Sequence, residues 1–290
     1  MTGTFILSLD CEGKWGMADM LDPSLERDLS DARLREAYGA IRRLLDRYEL
    51  PATFACVELF VSPRAHLASL DHGAVARRLP YTRAAMDALA AGRWDGWHAP
   101  WMDEMITARD ERGSHGVTHT PFDQLSPDDV AYEFSLSGIA RAPQTLVFPR
   151  NRVAHVDALT DFGITGYRSA LERSRAGNLL SEFWPLQQSD PMTAGTPTAI
   201  PAGKFVNWRS GPRNFVPRAL SRLRAKSVLD HAVATGGVAH FWTHPENVAT
   251  APATLDNLED IVALAARYRD EGRIETMTQR DYCERLRTRS

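Results

Sequence analysis

A mainly parallel α/β sheet, closed or nearly closed into a barrel of about seven or eight strands, is predicted by three observations. Short apolar runs alternate with longer stretches of helical spacing. Several of those runs end in acidic residues or histidines. Glycine and proline punctuate the joints between them. An open, doubly wound sheet is the alternative.

The elements follow in order. Phe5-Ile6-Leu7-Ser8-Leu9 reads as a buried strand. From Asp31 to Tyr48 apolar residues recur at Leu34, Ala37, Ile41, Leu44 and Leu45, the spacing of a helix face. Pro51 breaks the chain, and Ala52 to Val57 forms a second strand. Thr145 to Phe148 is another, with a helix expected near Val153 to Phe162 and a strand from Ile164 to Ser169. A late strand spans Val238 to Thr243, and a helix follows from Leu255 to Tyr268. With no linker, repeat or low-complexity tract, the 290 residues are read as one domain, with insertions near 92–105 and 203–224.

Composition narrows the function classes. A formal net charge of −3 supplies no basic field for a phosphate backbone, so nucleic acid is excluded as a partner. No apolar run reaches membrane-spanning length and no signal peptide is visible. Cys11, Cys56 and Cys283 are few and widely spaced, as in a reducing compartment. A cytoplasmic protein meeting a small-molecule or sugar-conjugate substrate is expected, and a homo-oligomer is compatible with the sequence.

Four motifs carry chemistry. In Asp10-Cys11-Glu12-Gly13, residues two apart on a strand share a face, so both carboxylates can enter one cavity. At the C-terminal end of a barrel strand such a pair reads as catalytic. Cys11 points the other way, which argues against cysteine catalysis. In Ser114-His115-Gly116-Val117-Thr118-His119, two histidines four apart on a helical turn can reach one metal. His240 and His244 repeat that spacing on a strand and compete for the same role. His244 precedes Pro245 at the strand edge, where sites lie, whereas His240 lies deeper, as a core residue does. In Phe148-Pro149-Arg150-Asn151 an arginine just after a strand can hold a carboxylate ionised. One carboxylate and two histidines, with a second carboxylate, a third histidine and an arginine, form an inventory for metal-assisted hydrolysis.

This ordered set resembles the polysaccharide deacetylase family, the NodB-homology or carbohydrate esterase 4 group. The resemblance covers most of the chain: the acidic motif, Ala52-Thr53-Phe54, the His115/His119 pair, Phe148-Pro149-Arg150 and Phe241-Trp242-Thr243-His244. It implies a deformed (β/α) barrel of about seven parallel strands and a divalent ion, zinc first and cobalt, nickel or manganese next. It also implies hydrolysis of an N-acyl group, N-acetyl foremost, on an amino sugar or sugar-containing intermediate. Carried over, Glu12, His115 and His119 hold the metal, Asp10 is the general base, His244 the general acid, and Arg150 holds Asp10. The family's adjacent aspartates are here separated by Cys11, a spacing that resembles a branch with intracellular members and ring-amide hydrolases. The usual Asp-Trp motif after the strand at 164–169 is missing, and the arginine motif lacks its tyrosine. An N-formyl group, a cyclic ureide or imide, and a non-catalytic sugar-binding barrel are the competing readings.

Trp15, Trp97, Asn151 and Trp242 are assigned to substrate binding. The Trp94, Trp97 and Trp101 segment is either a wall for a sugar ring or a hydrophobic clasp. The arginines at 209, 213, 218 and 222 are candidates to meet a phosphate on the substrate.

Overall fold

The structure, a computed structural model, describes residues 2–140, 142–170, 182–184, 186–192 and 195–289. Among them are nine strands: β1 (Gly3–Cys11), β2 (Thr53–Cys56), β3 (Glu111–Ser114), β4 (Thr145–Val147), β5 (Gly166–Arg168), β6 (Thr198–Ile200), β7 (Lys204–Phe205), β8 (Val238–Thr243) and β9 (Ile274–Met277). They run in the order β6-β5-β4-β3-β2-β1-β8-β7, with β9 beside β1, and each ladder between them is parallel. The sheet curls into a half-barrel, in keeping with the deformed (β/α) barrel that the family resemblance implies. Because the strands are parallel, their C-terminal ends share one rim, and that rim is where the motif residues emerge.

β1 is the hub. All nine of its residues are buried, as expected of a parallel strand covered on both faces. β8 pairs along one edge from Thr4 to Leu9. On the other edge β9 lies beside Gly3 to Ile6 and β2 beside Ser8 to Cys11. Gly3 is there for space: a Cβ on it would fall 2.8 Å from the backbone of Ala232.

Among the helices are α1 (Asp31–Arg47), α2 (Pro127–Ser135), α3 (Arg218–Thr235), α4 (Pro245–Thr250), α5 (Thr254–Asp270) and α6 (Gln279–Arg289). α1 buries Leu34, Ala37, Tyr38, Ile41, Leu44 and Leu45, the stripe read from the sequence. It packs into the main core with Phe5, Leu7 and Leu9 of β1 and Leu258, Ile261 and Val262 of α5. Truncating Ile41 to alanine in so closed a layer would cost about 2–5 kcal/mol. α2 starts at Ser126, whose hydroxyl accepts from the Asp129 N–H, with Pro127 in its first turn. α3 stops at Gly236, which adopts a left-handed φ of 68°. No helix of the described residues is long and apolar enough to cross a membrane.

Two expected helical stretches differ. Residues Val156–Phe162 form 3-10 turns instead of an α-helix. The His115–His119 segment is a loop, because Gly116 and His119 take φ values of 75° and 61° that no α-helix contains. The 203–224 segment supplies β7, a 3-10 turn at Gly211–Phe215 and the first turns of α3.

Candidate metal centre and active site

Strand alternation in β1 divides two environments. Phe5, Leu7, Leu9 and Cys11 belong to the core under the helices, while Ser8 and Asp10 face the barrel interior. Past Cys11 the chain leaves the sheet, and Gly13 at φ 52° turns it into the 3-10 helix Gly13–Met17. Gly16 leaves room for Glu12: a Cβ at position 16 would lie 2.0 Å from Glu12 Oε1. The turn is anchored from below by Glu246. Its Oε1 accepts from the N–H groups of Glu12 (3.1 Å) and Gly13 (2.6 Å) and from Tyr38 Oη (2.9 Å). Burial, with Glu12 adding to it, raises the Glu246 pKa to about 8.

Glu12 Oε2 is the convergence point. It lies 3.2 Å from His115 Nε2 and 2.8 Å from His119 Nε2. The three donor atoms all lie within 4.8 Å of one another, and all three residues are buried. His115 Nδ1 donates to Val147 O at 2.8 Å, which turns its Nε2 toward Glu12. His119 is brought round by the loop, whose Val117 and Thr118 N–H groups and Thr118 hydroxyl all bond Glu133 (2.9, 2.8 and 2.6 Å). The residues fit a divalent cation on one specific ground. His119 Nε2 is buried and, despite its 2.8 Å approach to Glu12, has no hydrogen-bond partner among the described residues. An imidazole nitrogen and a carboxylate oxygen that close together, without a well-aligned hydrogen bond between them, form a ligand pair for a cation.

Charge on Glu12 and His119 agrees. Burial would raise the Glu12 pKa, but His244, His119 and His115 outweigh it and hold it well below the usual carboxylate range. Burial lowers His119, keeping it neutral as a ligand must be. At His115 burial is outweighed by Glu12 and Asp10, and the pKa rises.

The tether on Asp10 is the main correction to the sequence reading. Arg168, at the end of β5, grips Asp10 with both arms: Nη1 to Oδ1 at 2.7 Å and Nη2 to Oδ2 at 2.6 Å. Both side chains are 1% exposed. Burial alone would raise the Asp10 pKa; Arg168 overturns that and lowers it. Arg168 also donates to Asn151 Oδ1 (2.9 Å) and Ser8 Oγ (3.2 Å) and lies over the Trp242 ring at 4.4 Å. Arg150, expected to hold Asp10, instead bonds Gly16 O (2.8 Å), Asp19 Oδ1 (2.5 Å) and Tyr81 Oη (2.9 Å). Tyr81 Oη lies 3.3 Å from His119 Nδ1, so Arg150 supports the metal side of the site. The reason is reach. One arginine, Arg150, sits in the turn after β4 and another, Arg168, ends β5, and the sequence does not say which long side chain crosses the barrel.

The late histidines separate as expected in place. His240 is buried; its Nδ1 donates to Pro201 O (2.6 Å) and its Nε2 accepts from Ser8 Oγ (2.9 Å). Burial first, and Arg168 second, push its pKa down to about 3. His244 is a quarter exposed, with Nε2 3.9 Å from Asp10 Oδ2 and 3.7 Å from Glu12 Oε1.

Asp10, Glu12, His115, His119 and His244 line one cavity of about 320 Å³, together with Arg150, Asn151, Phe205, Trp208 and Trp242. Two tryptophans assigned to substrate binding are elsewhere. Trp15 is fully buried, donates to Trp97 O at 2.9 Å and packs edge-on against the Trp97 ring at 5.9 Å. Trp101 packs on Tyr38 of α1 at 5.3 Å. The 92–105 segment is therefore a clasp on the core, because an indole's apolar area is better buried against α1 than left at a mouth. Arg168, Glu246, Trp208 and Arg224 were not picked out from sequence. For Arg168 a signal was present: an arginine closing an otherwise buried strand, where an unpaired charge is not tolerated.

No protein-family model matches the sequence, and no curated protein matches it either. Solved structures do. Puue allantoinase aligns over 97% of this chain and 89% of its own, with a TM-score of 0.61 and 11% identity. A probable polysaccharide deacetylase from Pseudomonas aeruginosa PAO1 aligns over 97% and 89%, with a TM-score of 0.58 and 12% identity. A protein from Mycobacterium smegmatis described as a candidate polysaccharide deacetylase aligns over 100% and 92%, with a TM-score of 0.57 and 14% identity. The resemblance to polysaccharide deacetylases thus holds in the fold.

Proposed function

We propose that this chain is a hydrolase of amide C–N bonds that removes an N-acyl group, N-acetyl foremost, from an amino sugar or sugar-containing intermediate. The observation that carries this is a carboxylate and two imidazoles converging within one cavity, flanked by an arginine-locked aspartate and a partly exposed histidine. Glu12, His115 and His119 would hold a divalent cation, zinc before cobalt, nickel or manganese. Such an ion polarises a carbonyl and lowers the pKa of water. The chain's own residues do the proton work. Asp10 is kept ionised and fixed in rotation by Arg168, so it stands as an acceptor for the proton of the attacking water. His244, across from Asp10, supplies a proton to the leaving nitrogen, which departs poorly as an anion. Asn151 and Trp242 border the cavity and orient substrate. The three cysteines are buried and free, which supports a reducing compartment and hence the cytoplasm.

A second reading, opening of a cyclic ureide or imide, is favoured by the fold likeness to an allantoinase and by the spacing of Asp10 and Glu12. Product analysis decides. Cation-loaded protein is incubated with N-acetyl and N-formyl amino sugars and with cyclic ureides and imides. A free amine with its acid supports the first reading and a ring-opened acid the second. No product from protein carrying one cation per chain overturns both.

A further inference from the structure

One wall of the cavity is unaccounted for by hydrolysis. It is built by Lys204 and Phe205 of β7, Trp208, Arg213 in the 3-10 turn and Arg224 of α3, with Glu182 as the one carboxylate on this wall among the described residues. Lys204 Nζ lies 3.3 Å from Asp190, and Arg213 Nε donates to Glu182 at 2.8 Å. Arg224 has no such ion pair among the described residues. It is 4% exposed, donates from Nη2 to the Phe205 carbonyl, and its buried Nε has no partner among the described residues. Burial, outweighing Glu182, lowers its pKa, as for a cation without full compensation. The indole N–H groups of Trp208 and Trp242 are likewise buried without an acceptor. Three donors of this wall thus lack an acceptor among the described residues, against one buried acceptor oxygen without a partner, Glu182 Oε2, and three cations stand there against that one carboxylate. A buried donor without a partner is costly, so the excess of donors among the described residues offers a place for acceptor oxygens of a ligand.

The wall's position says which half of the substrate brings them. The Phe205 ring lies 6.2 Å from the His244 ring, so the wall stands on the side of the general acid, where the leaving amine departs. We infer that the substrate is an N-acyl amine whose amine half carries an anionic group, carboxylate or phosphate, seated against Arg224 and Arg213. This rests on the hydrolase reading above. The other arginines of the segment take no part: Arg209 bonds Val216 O, Arg218 pairs with Asp260, and Arg222 is exposed.

The test measures binding by calorimetry in cation-loaded Asp10→Asn protein, where turnover does not interfere. The probes are N-acetylglucosamine, its 1-phosphate and its 3-O-lactyl ether, which carries a carboxylate. The charged probes should bind at least tenfold tighter than the neutral one, and the tighter of the two identifies the anion. Arg213→Gln and Arg224→Gln should each remove most of that advantage while leaving cation content unchanged. Arg213 is partly exposed, so its variant remains informative if Arg224→Gln does not fold. Equal binding of the three probes, binding of none, or an advantage that survives both substitutions overturns the inference. Turnover of neutral and charged amides alike by the wild type would overturn it and leave the hydrolase reading standing. Charged probes that bind tightly with no amide ever cleaved would do the reverse.

Discussion

His115 and His119 are four residues apart, and so are His240 and His244, yet the two pairs do opposite things. On β8 four residues of extended chain span about 13 Å, far beyond what one ion with bonds of about 2 Å can bridge. The pair is split into a buried, neutral His240 and a rim-exposed His244. In the loop after β3, Gly116 and His119 in left-handed conformations fold the chain back, and the ring centroids approach to 4.8 Å. Spacing alone carries no ligand information; the backbone between the histidines does.

The sharpest way to break this comparison is to delete ligands from each pair. Glu12→Ala and His119→Ala should each lose the cation and reduce turnover by about a thousandfold or more, and dialysis against a chelator should do the same to the wild type until zinc is returned. Metal analysis beside an amide-hydrolysis assay reads both. Cation loss in His240→Ala and His244→Ala, with His119→Ala still loaded, would reverse the two pairs' roles. His244→Ala should keep its cation and lose about a hundredfold in turnover, with a smaller loss on an activated phenyl ester whose leaving group needs no proton. An equal loss on both substrates would remove the general-acid role.

A third variant pair sharpens the contrast between interior and rim. Arg168→Gln strands a buried Asp10 carboxylate and should destabilise the fold by about 3–5 kcal/mol. Arg150→Gln breaks a pair with the half-exposed Asp19 and two hydrogen bonds, to Gly16 O and Tyr81 Oη, leaves no buried carboxylate stranded, and should cost less than Arg168→Gln, about 1–2 kcal/mol. Denaturant melts compare the two, and equal losses would contradict the tether assigned here. The pH-dependent effect belongs to His240. Its folded pKa of about 3 lies below the ordinary histidine value, so the unfolded chain takes up the proton first as pH falls. Its contribution is fully present above about pH 6.5 and drains away as pH drops toward 3, by up to about 1.4 kcal/mol for each pH unit. His240→Asn should be less stable at pH 7 and lack this slope; parallel curves for the two proteins would rule out a buried neutral His240.

Much of the fold was legible because both periodicities were clean. α1 and α5 showed helical stripes, β1 and β8 were apolar runs ended by functional residues, and β2 was an apolar run after Pro51. The centre was legible in part because Asp10, Glu12 and His244 sit at strand ends, where strand alternation fixes direction. Arg168 was not, because its role depends on which of two neighbouring strand ends reaches across the barrel, and side-chain reach leaves no pattern in sequence. Trp97 failed for a related reason. An aromatic in a loop packs inward or lines a mouth according to what lies beneath it, and here Trp15 lies beneath it. Arg224 looked like one more basic residue on a polar helix, and only burial distinguishes it from Arg222.

Cys11 and Cys56 lie side by side in register on β1 and β2, with no exposed surface, directly behind the acidic pair. Burial holds the Cys11 thiol well above its usual range, so alkylating reagents find neither an accessible sulfur nor a thiolate there. Labelling must wait for the β1–β2 seam to part. The seam also carries Glu12, so a bound cation that closes the ligand set should slow alkylation of these two thiols, and the ratio of labelling rates with and without the ion gauges how firmly the ligands latch the centre of the sheet.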